Sequence, residues 1–143
     1  MSHQASLQRV VTFFETIDAT QIAQLPRIYS DAVFFKDPFN EVHCCADVIH
    51  IFAHMFVQVE APCFVVTTSV LQGDQAFLTW DFFFTMKRFS KSRQCIRGAS
   101  HLRFASDGRV NFHRDYWDAA EELYEKLPLL GALMRGLKKM ARA

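Results

Sequence analysis

Helical periodicity at the start of the chain, four β-rich runs after it, and strong turn chemistry between those runs predict an α+β fold. Helices come first and a long antiparallel sheet follows, so the helices are expected on one face of that sheet. In the first helix, about Ser6 to Ile17, Val10, Phe13, Phe14 and Ile17 recur at helical spacing and make one apolar stripe. Asp18 with Gln21 forms a capping box for a second short helix reaching about Ile28, which Pro26 strains or shortens.

The run "AVFFKDPFN" reads as a strand stopped at Asp37-Pro38, because proline restricts the residue before it and cannot donate to a ladder. From about Ala46 the helical pattern returns, with Val48, Ile49, Phe52, Met55, Phe56 and Val59 on one side, and Pro62 is expected to end it. Four strands follow: "CFVVTTSVLQ", "QAFLTWDFFFTMKRF", "QCIRGASHLRFA" and "RVNFHRDYW". The connections Gly73-Asp74 and Ser106-Asp107-Gly108 favour an antiparallel meander. A helix capped by Asp118 with Glu121, and a last helix after Pro128, close the chain.

At 143 residues the chain is expected to be one domain, with a core of about 5–118 and a helical extension over 118–143. It contains 15 Phe, enough for a very full core or for lining an apolar cavity. Lys and Arg number 16 against 15 Asp and Glu, a net charge of +1, so no global field exists to hold nucleic acid. The polar start "MSHQASLQ" and the lack of a run of roughly 18 apolar residues lead to an expectation of a cytoplasmic protein without a membrane span. Cys44, Cys45, Cys63 and Cys95 form no CxxC pair and read as free, mostly buried thiols.

The stretch "HRDYWD" raises the functional question. Alternation along a strand sends His113, Asp115 and Trp117 to one face and Arg114 and Tyr116 to the other, so the first three can look into a pocket while Asp118 caps the next helix. Tyr29 can offer a hydroxyl near the pocket floor, although a tyrosine beside a core is most often amphipathic packing. In the long strand, Phe77, Thr79, Asp81 and Phe83 share one face, and Ala76, Leu78, Trp80, Phe82, Phe84 and Met86 share the other. Both faces are largely apolar, which argues for a second copy against whichever one lies outside. Alternation alone leaves the choice open.

The element order, with "YSDAVFFKDPF" and "HLRFASDGRVNFHRDYW", resembles the nuclear transport factor two-like superfamily, in particular its SnoaL-like and ketosteroid isomerase-like branches. The resemblance covers nearly the whole chain up to about Asp118. It implies a cone-shaped, cystatin-like roll, with a curved sheet wrapped around the N-terminal helices, an apolar pocket and a homodimer through the outer sheet face. It also implies that Asp81, with Phe77 and Phe83, lies inside.

In the isomerase branch the base is the aspartate of a "DP" pair, here Asp37, although Asp before Pro is equally ordinary turn chemistry. That branch's two oxyanion donors fall on Phe13 and Ser100, so its strongest electrostatic device is missing. "HRDYW" is also similar to the strand bearing one catalytic aspartate in limonene-epoxide hydrolase, and the match falls on Asp115. The Arg-x-Asp set of that branch is replaced by Asp81 and Phe83.

His50 and His54 are spaced to chelate a metal, yet without an HExxH context or a convergent carboxylate they read as a helix-surface or pocket-rim pair, and no metal is expected. The last helix sets Leu130, Leu133, Leu137 and Met140 against Arg135, Lys138, Lys139 and Arg142. Such a helix suits an anionic membrane, but the favoured expectation is that it covers the pocket or docks on a partner. The expected function is binding of a small hydrophobic molecule, with cofactor-independent acid/base chemistry by Asp115, Asp37 and His113. A non-catalytic binding module, or a dehydratase-like enzyme leaning on His113, are the alternatives.

Overall fold

A computed structural model describes residues 2–88, 91–122 and 128–142. The expected runs through Phe89 and Ser90, and the chain between 123 and 127, lie outside the described residues. Helix α1 spans His3–Glu15 and is capped by the Ser2 side chain. Asp18 accepts from the Thr20 N–H, but the segment it caps is a 3₁₀ turn over Ala19–Gln24. A single helical turn, α2 (Leu25–Ile28), follows with Pro26 in its first turn, where the missing N–H costs nothing.

Strand β1 (Tyr29–Lys36) ends before Asp37-Pro38, and a two-residue strand β2 (Glu41–Val42), which the sequence pattern did not reveal, returns beside it. Helix α3 is Cys45–Gln58. The long strands are β3 (Val59–Gln72), β4 (Gln75–Met86), β5 (Arg93–Phe104) and β6 (Val110–Tyr116). Two helices follow, α4 (Ala119–Glu122) and α5 (Pro128–Ala141).

The strands form one curved, unclosed sheet in the order β2-β1-β6-β5-β4-β3. From β3 to β6 it is the expected antiparallel meander, whereas β1 lies parallel to β6. Pro62 does not end α3. The helix stops at Gln58, and Pro62 sits inside edge strand β3, in a bulge between Glu60 and Cys63 where Ala61 takes φ 49°. An edge strand at a bulge is where a residue without an N–H is tolerated.

The helices α1 and α3 pack on the concave side. Leu7 and Val10 from α1, Val48 and Phe52 from α3, and Val33 and Phe35 from β1 are among the buried core. Of the cysteines only Cys45 is buried; Cys63 on β3 is exposed and Cys95 on β5 half-buried because both fall on the outer side of the sheet, and Cys44 is half-buried at the start of α3. No helix among the described residues is long and apolar enough to cross a membrane.

The long strand β4 takes the phase opposite to the expected one. Ala76, Leu78, Trp80 and Phe84 are buried, while Phe77 is 49% exposed and Asp81 and Phe83 are half-buried on the outer face. The inward set contains no polar residue and the outward set contains Thr79 and Asp81, so solvation of those two groups decides the phase.

Candidate functional site

Between the helices and the concave face lies a cavity of about 420 Å³, within the roughly 300–1,000 Å³ of small-molecule pockets. Its walls are aromatic and aliphatic: Phe14 from α1, Phe52 and Met55 from α3, Phe64 from β3, Trp80 and Phe82 from β4. Polar side chains enter at two places: Asp37, Asn40, His50, His54 and Gln58 from the β1 end and α3, and a bonded corner built on β5 and β6.

Strand register creates that corner. Ser100 on β5 is directly opposite Asp115 on β6, and Leu102 is opposite His113. The Ser100 hydroxyl donates to Asp115 Oδ1 at 2.5 Å, and His113 Nε2 lies 2.6 Å from the same oxygen. A carboxylate oxygen can only accept, so Nε2 carries a hydrogen, and in the tautomer with its one hydrogen there Nδ1 is an acceptor. Tyr29 meets that nitrogen with its hydroxyl at 2.7 Å. At the other end the Trp80 indole N–H donates to Ser100 Oγ at 2.8 Å.

The result is a chain of hydrogen bonds from Tyr29 through His113, Asp115 and Ser100 to Trp80. Asp115 Oδ1 takes two of these bonds, and among the described residues none goes to Oδ2. Tyr29 is fully buried and His113 is 5% exposed, packed between the rings of Phe14, Phe35 and Tyr29. Burial first, and then the neighbouring Asp115 charge, push the Tyr29 phenol well above its ordinary pKa, so it keeps the hydrogen it donates to His113.

The other expected site residues divide. Trp117 and His54 line the cavity, His54 with His50 and Gln58 along the exposed side of α3, and Trp117 edge-on to Phe39 at 5.5 Å. Asp37 also borders the cavity, but its Oδ1 receives the N–H groups of Phe39 and Asn40 and the Asn40 side-chain amide, so it is tied into the Asp37–Asn40 turn. Phe13 belongs to the core rather than the cavity wall, since the helix turns Phe14 inward instead. Phe77, Asp81 and Phe83 do not reach the cavity because β4 has the opposite phase. No cluster of three or more metal-ligating side chains exists among the described residues.

Trp80 was not expected at the site. Its signal in the sequence is Gly98, the only glycine inside a strand, which pairs with Trp80 across β4 and β5. A methyl group on Gly98 would come within 2.5 Å of the indole ring, so the bare backbone lets Trp80 lie over it and reach Ser100.

Residues 10–113 match the SnoaL-like domain family. The chain belongs to that family. No curated protein matches the chain. Among solved structures, this SnoaL-like chain is similar to a putative SnoaL-like polyketide cyclase from Jannaschia sp. CCS1, at 13% identity and TM-score 0.72, covering 83% of this chain and 87% of that one. It is similar to AclR, a putative hydroxylase from Streptomyces galilaeus, at 20% identity and TM-score 0.70 over 99% and 97% of the two chains. A third is an LEH-like epoxide hydrolase from M. tuberculosis, with 12% identity, TM-score 0.67 and coverage of 96% and 93%. These likenesses establish the SnoaL-like fold, which hosts several chemistries.

Proposed function

We propose that this SnoaL-like protein binds a small hydrophobic molecule in the cavity and moves a proton on it without a cofactor, with Asp115 as the proton-handling group. The observation that carries this reading is the pair of donors, Ser100 and His113, on one oxygen of an aspartate that lines a largely apolar cavity. They fix the carboxylate in place, as a general base requires. His113 holds Asp115 and, backed by Tyr29, can pass a hydrogen along the chain. Asp37 serves the turn at the cavity edge, since a carboxylate accepting three N–H groups on one oxygen is occupied.

Ketosteroid-type isomerisation fits less well. Phe13 has no donor, and the Ser100 hydroxyl is spent on Asp115 rather than on a substrate oxygen. A substrate that disperses its own developing charge, or an epoxide opened by an activated water, suits the corner better. The names of the similar cyclase and epoxide hydrolase agree with these two reaction types.

The outer sheet face supports a homodimer. Phe34 stacks on Phe112 at 5.1 Å, Phe112 meets His101 edge-on at 5.1 Å and His101 stacks on Phe77 at 4.5 Å, and burial followed by the Arg103 charge holds the His101 imidazole below its usual pKa. A run of that kind is suited to a second copy.

The test screens hydrophobic ketones, epoxides and lactones by thermal shift, then follows turnover of the binders. Asp115→Asn is expected to keep binding within about tenfold and to lose roughly 10²–10⁴ in rate. Full activity in that variant would falsify the assignment. Binding without turnover of any ligand by the wild type would make the protein a carrier.

A further inference from the structure

Charge in this chain is unevenly placed. Arg135, Lys138, Lys139 and Arg142 all fall within residues 128–143, which contain no Asp or Glu. The chain before Pro128 holds the other 12 basic residues and all 15 acidic ones, so a body of net charge −3 carries a tail of +4. The tail is the helix α5, which packs on α4.

The side of α5 that meets the fold runs through buried Gly131 and half-buried Met134 and Lys138, at helical spacing. The apolar stripe does not. Leu133, Leu137 and Met140, at i, i+4 and i+7, are 56%, 49% and 83% exposed, and exposed Arg135, Lys139 and Arg142 fall on the other side of the helix. None of the described residues of α5 lines the cavity, so the expected cover over the pocket is not formed by them. The Leu130 side chain lies outside the described residues.

We propose that α5 docks this protein on an anionic lipid bilayer. The helix lies in the plane of the surface, with Leu133, Leu137 and Met140 at the acyl boundary and the basic residues among the headgroups. Two observations select this occupant. An exposed apolar stripe on a helix whose charged residues are all cations matches a surface that is apolar beneath and negative above. Pairing with α5 of a second copy would instead bring two helices of charge +4 together.

The test is co-sedimentation of the full chain with vesicles of phosphatidylcholine alone or mixed with phosphatidylglycerol. Binding is expected only to the mixed vesicles and is expected to weaken with salt. The pair Lys139→Glu and Arg142→Glu should lower the affinity by at least about tenfold, and so should Leu133→Ser with Leu137→Ser. All four side chains are exposed, so melting temperature and oligomeric state should not change. The proposal is overturned if the folded protein ignores both vesicle types, binds both equally, or keeps its affinity after charge reversal. A serine variant that changes the oligomeric state in the absence of lipid would assign the stripe to a second copy instead. If the serine variant does not fold, the charge-reversed variant decides alone.

Discussion

Replacing Gly98 with alanine probes the whole polar corner from one strand away. The added methyl would stand 2.5 Å from Cη2 and 2.6 Å from Cζ2 of Trp80, well inside van der Waals contact. Trp80 is 7% exposed and its N–H is held by Ser100 at 2.8 Å, so the ring cannot yield without losing that bond and disturbing its neighbours. Overpacking of this kind costs about 1–3 kcal/mol, and the lost hydrogen bond adds about 1 kcal/mol. For a chain of this size the sum lowers the Tm by on the order of 10 °C.

The sign is as informative as the size. At an unobstructed strand position the same substitution is favourable by about 0.5–1 kcal/mol, because glycine loses more backbone entropy on folding. Scanning calorimetry together with near-ultraviolet circular dichroism of the tryptophans reads both. A Gly98→Ala protein with unchanged or raised Tm and an unaltered aromatic spectrum would refute the account of how Trp80 reaches Ser100.

The remaining expectations concern the far end of the hydrogen-bond chain and the outer face. Tyr29→Phe strips the donor from buried His113 Nδ1 and should cost about 1–3 kcal/mol in urea unfolding at neutral pH. The phenol's folded pKa is raised by burial and by Asp115, so the unfolded chain loses this proton near pH 10 while the folded one keeps it. Wild-type stability should therefore fall as pH rises above about 10, and Tyr29→Phe should lack that part of the slope; equal alkaline slopes would count against the buried phenol. Phe77→Asp puts a carboxylate into the outward aromatic run and should weaken self-association at least about tenfold by light scattering. A wild type that is monomeric at every concentration would remove the homodimer.

Much of the fold was legible because the long strands alternate and two of the three connections between them carry glycine and aspartate. The pairing of β1 with β6 was not, since it joins segments far apart in sequence and nothing local marks a parallel neighbour. His113, Asp115 and Trp117 could be grouped because residues two apart on a strand share a face. Their partners came from other strands: Tyr29 is 84 residues from His113, and only register sets Ser100 against Asp115.

The phase of β4 was misread for a different reason. A resemblance drew one carboxylate, Asp81, inward, against the plainer fact that the other face held no charged or hydroxyl group and only the indole N–H of Trp80. Asp37 shows the converse. Its place before proline fitted a base and a turn equally, and only the N–H groups of Phe39 and Asn40 show how its Oδ1 is used.

The two bonds on a single oxygen of Asp115 have a stereochemical consequence. A half-turn of the carboxylate about Cβ–Cγ merely exchanges two equivalent oxygens, so what Ser100 and His113 fix is the plane of the group and the side on which its other oxygen stands. A molecule held in the cavity meets this fixed, one-sided acceptor at one wall. Where such a molecule is seated in one orientation and carries two mirror-related hydrogens, only one is presented to it. The pairing of β5 with β6 would then set the side of attack, and the fit of the ligand to the apolar walls would set which of its faces is met.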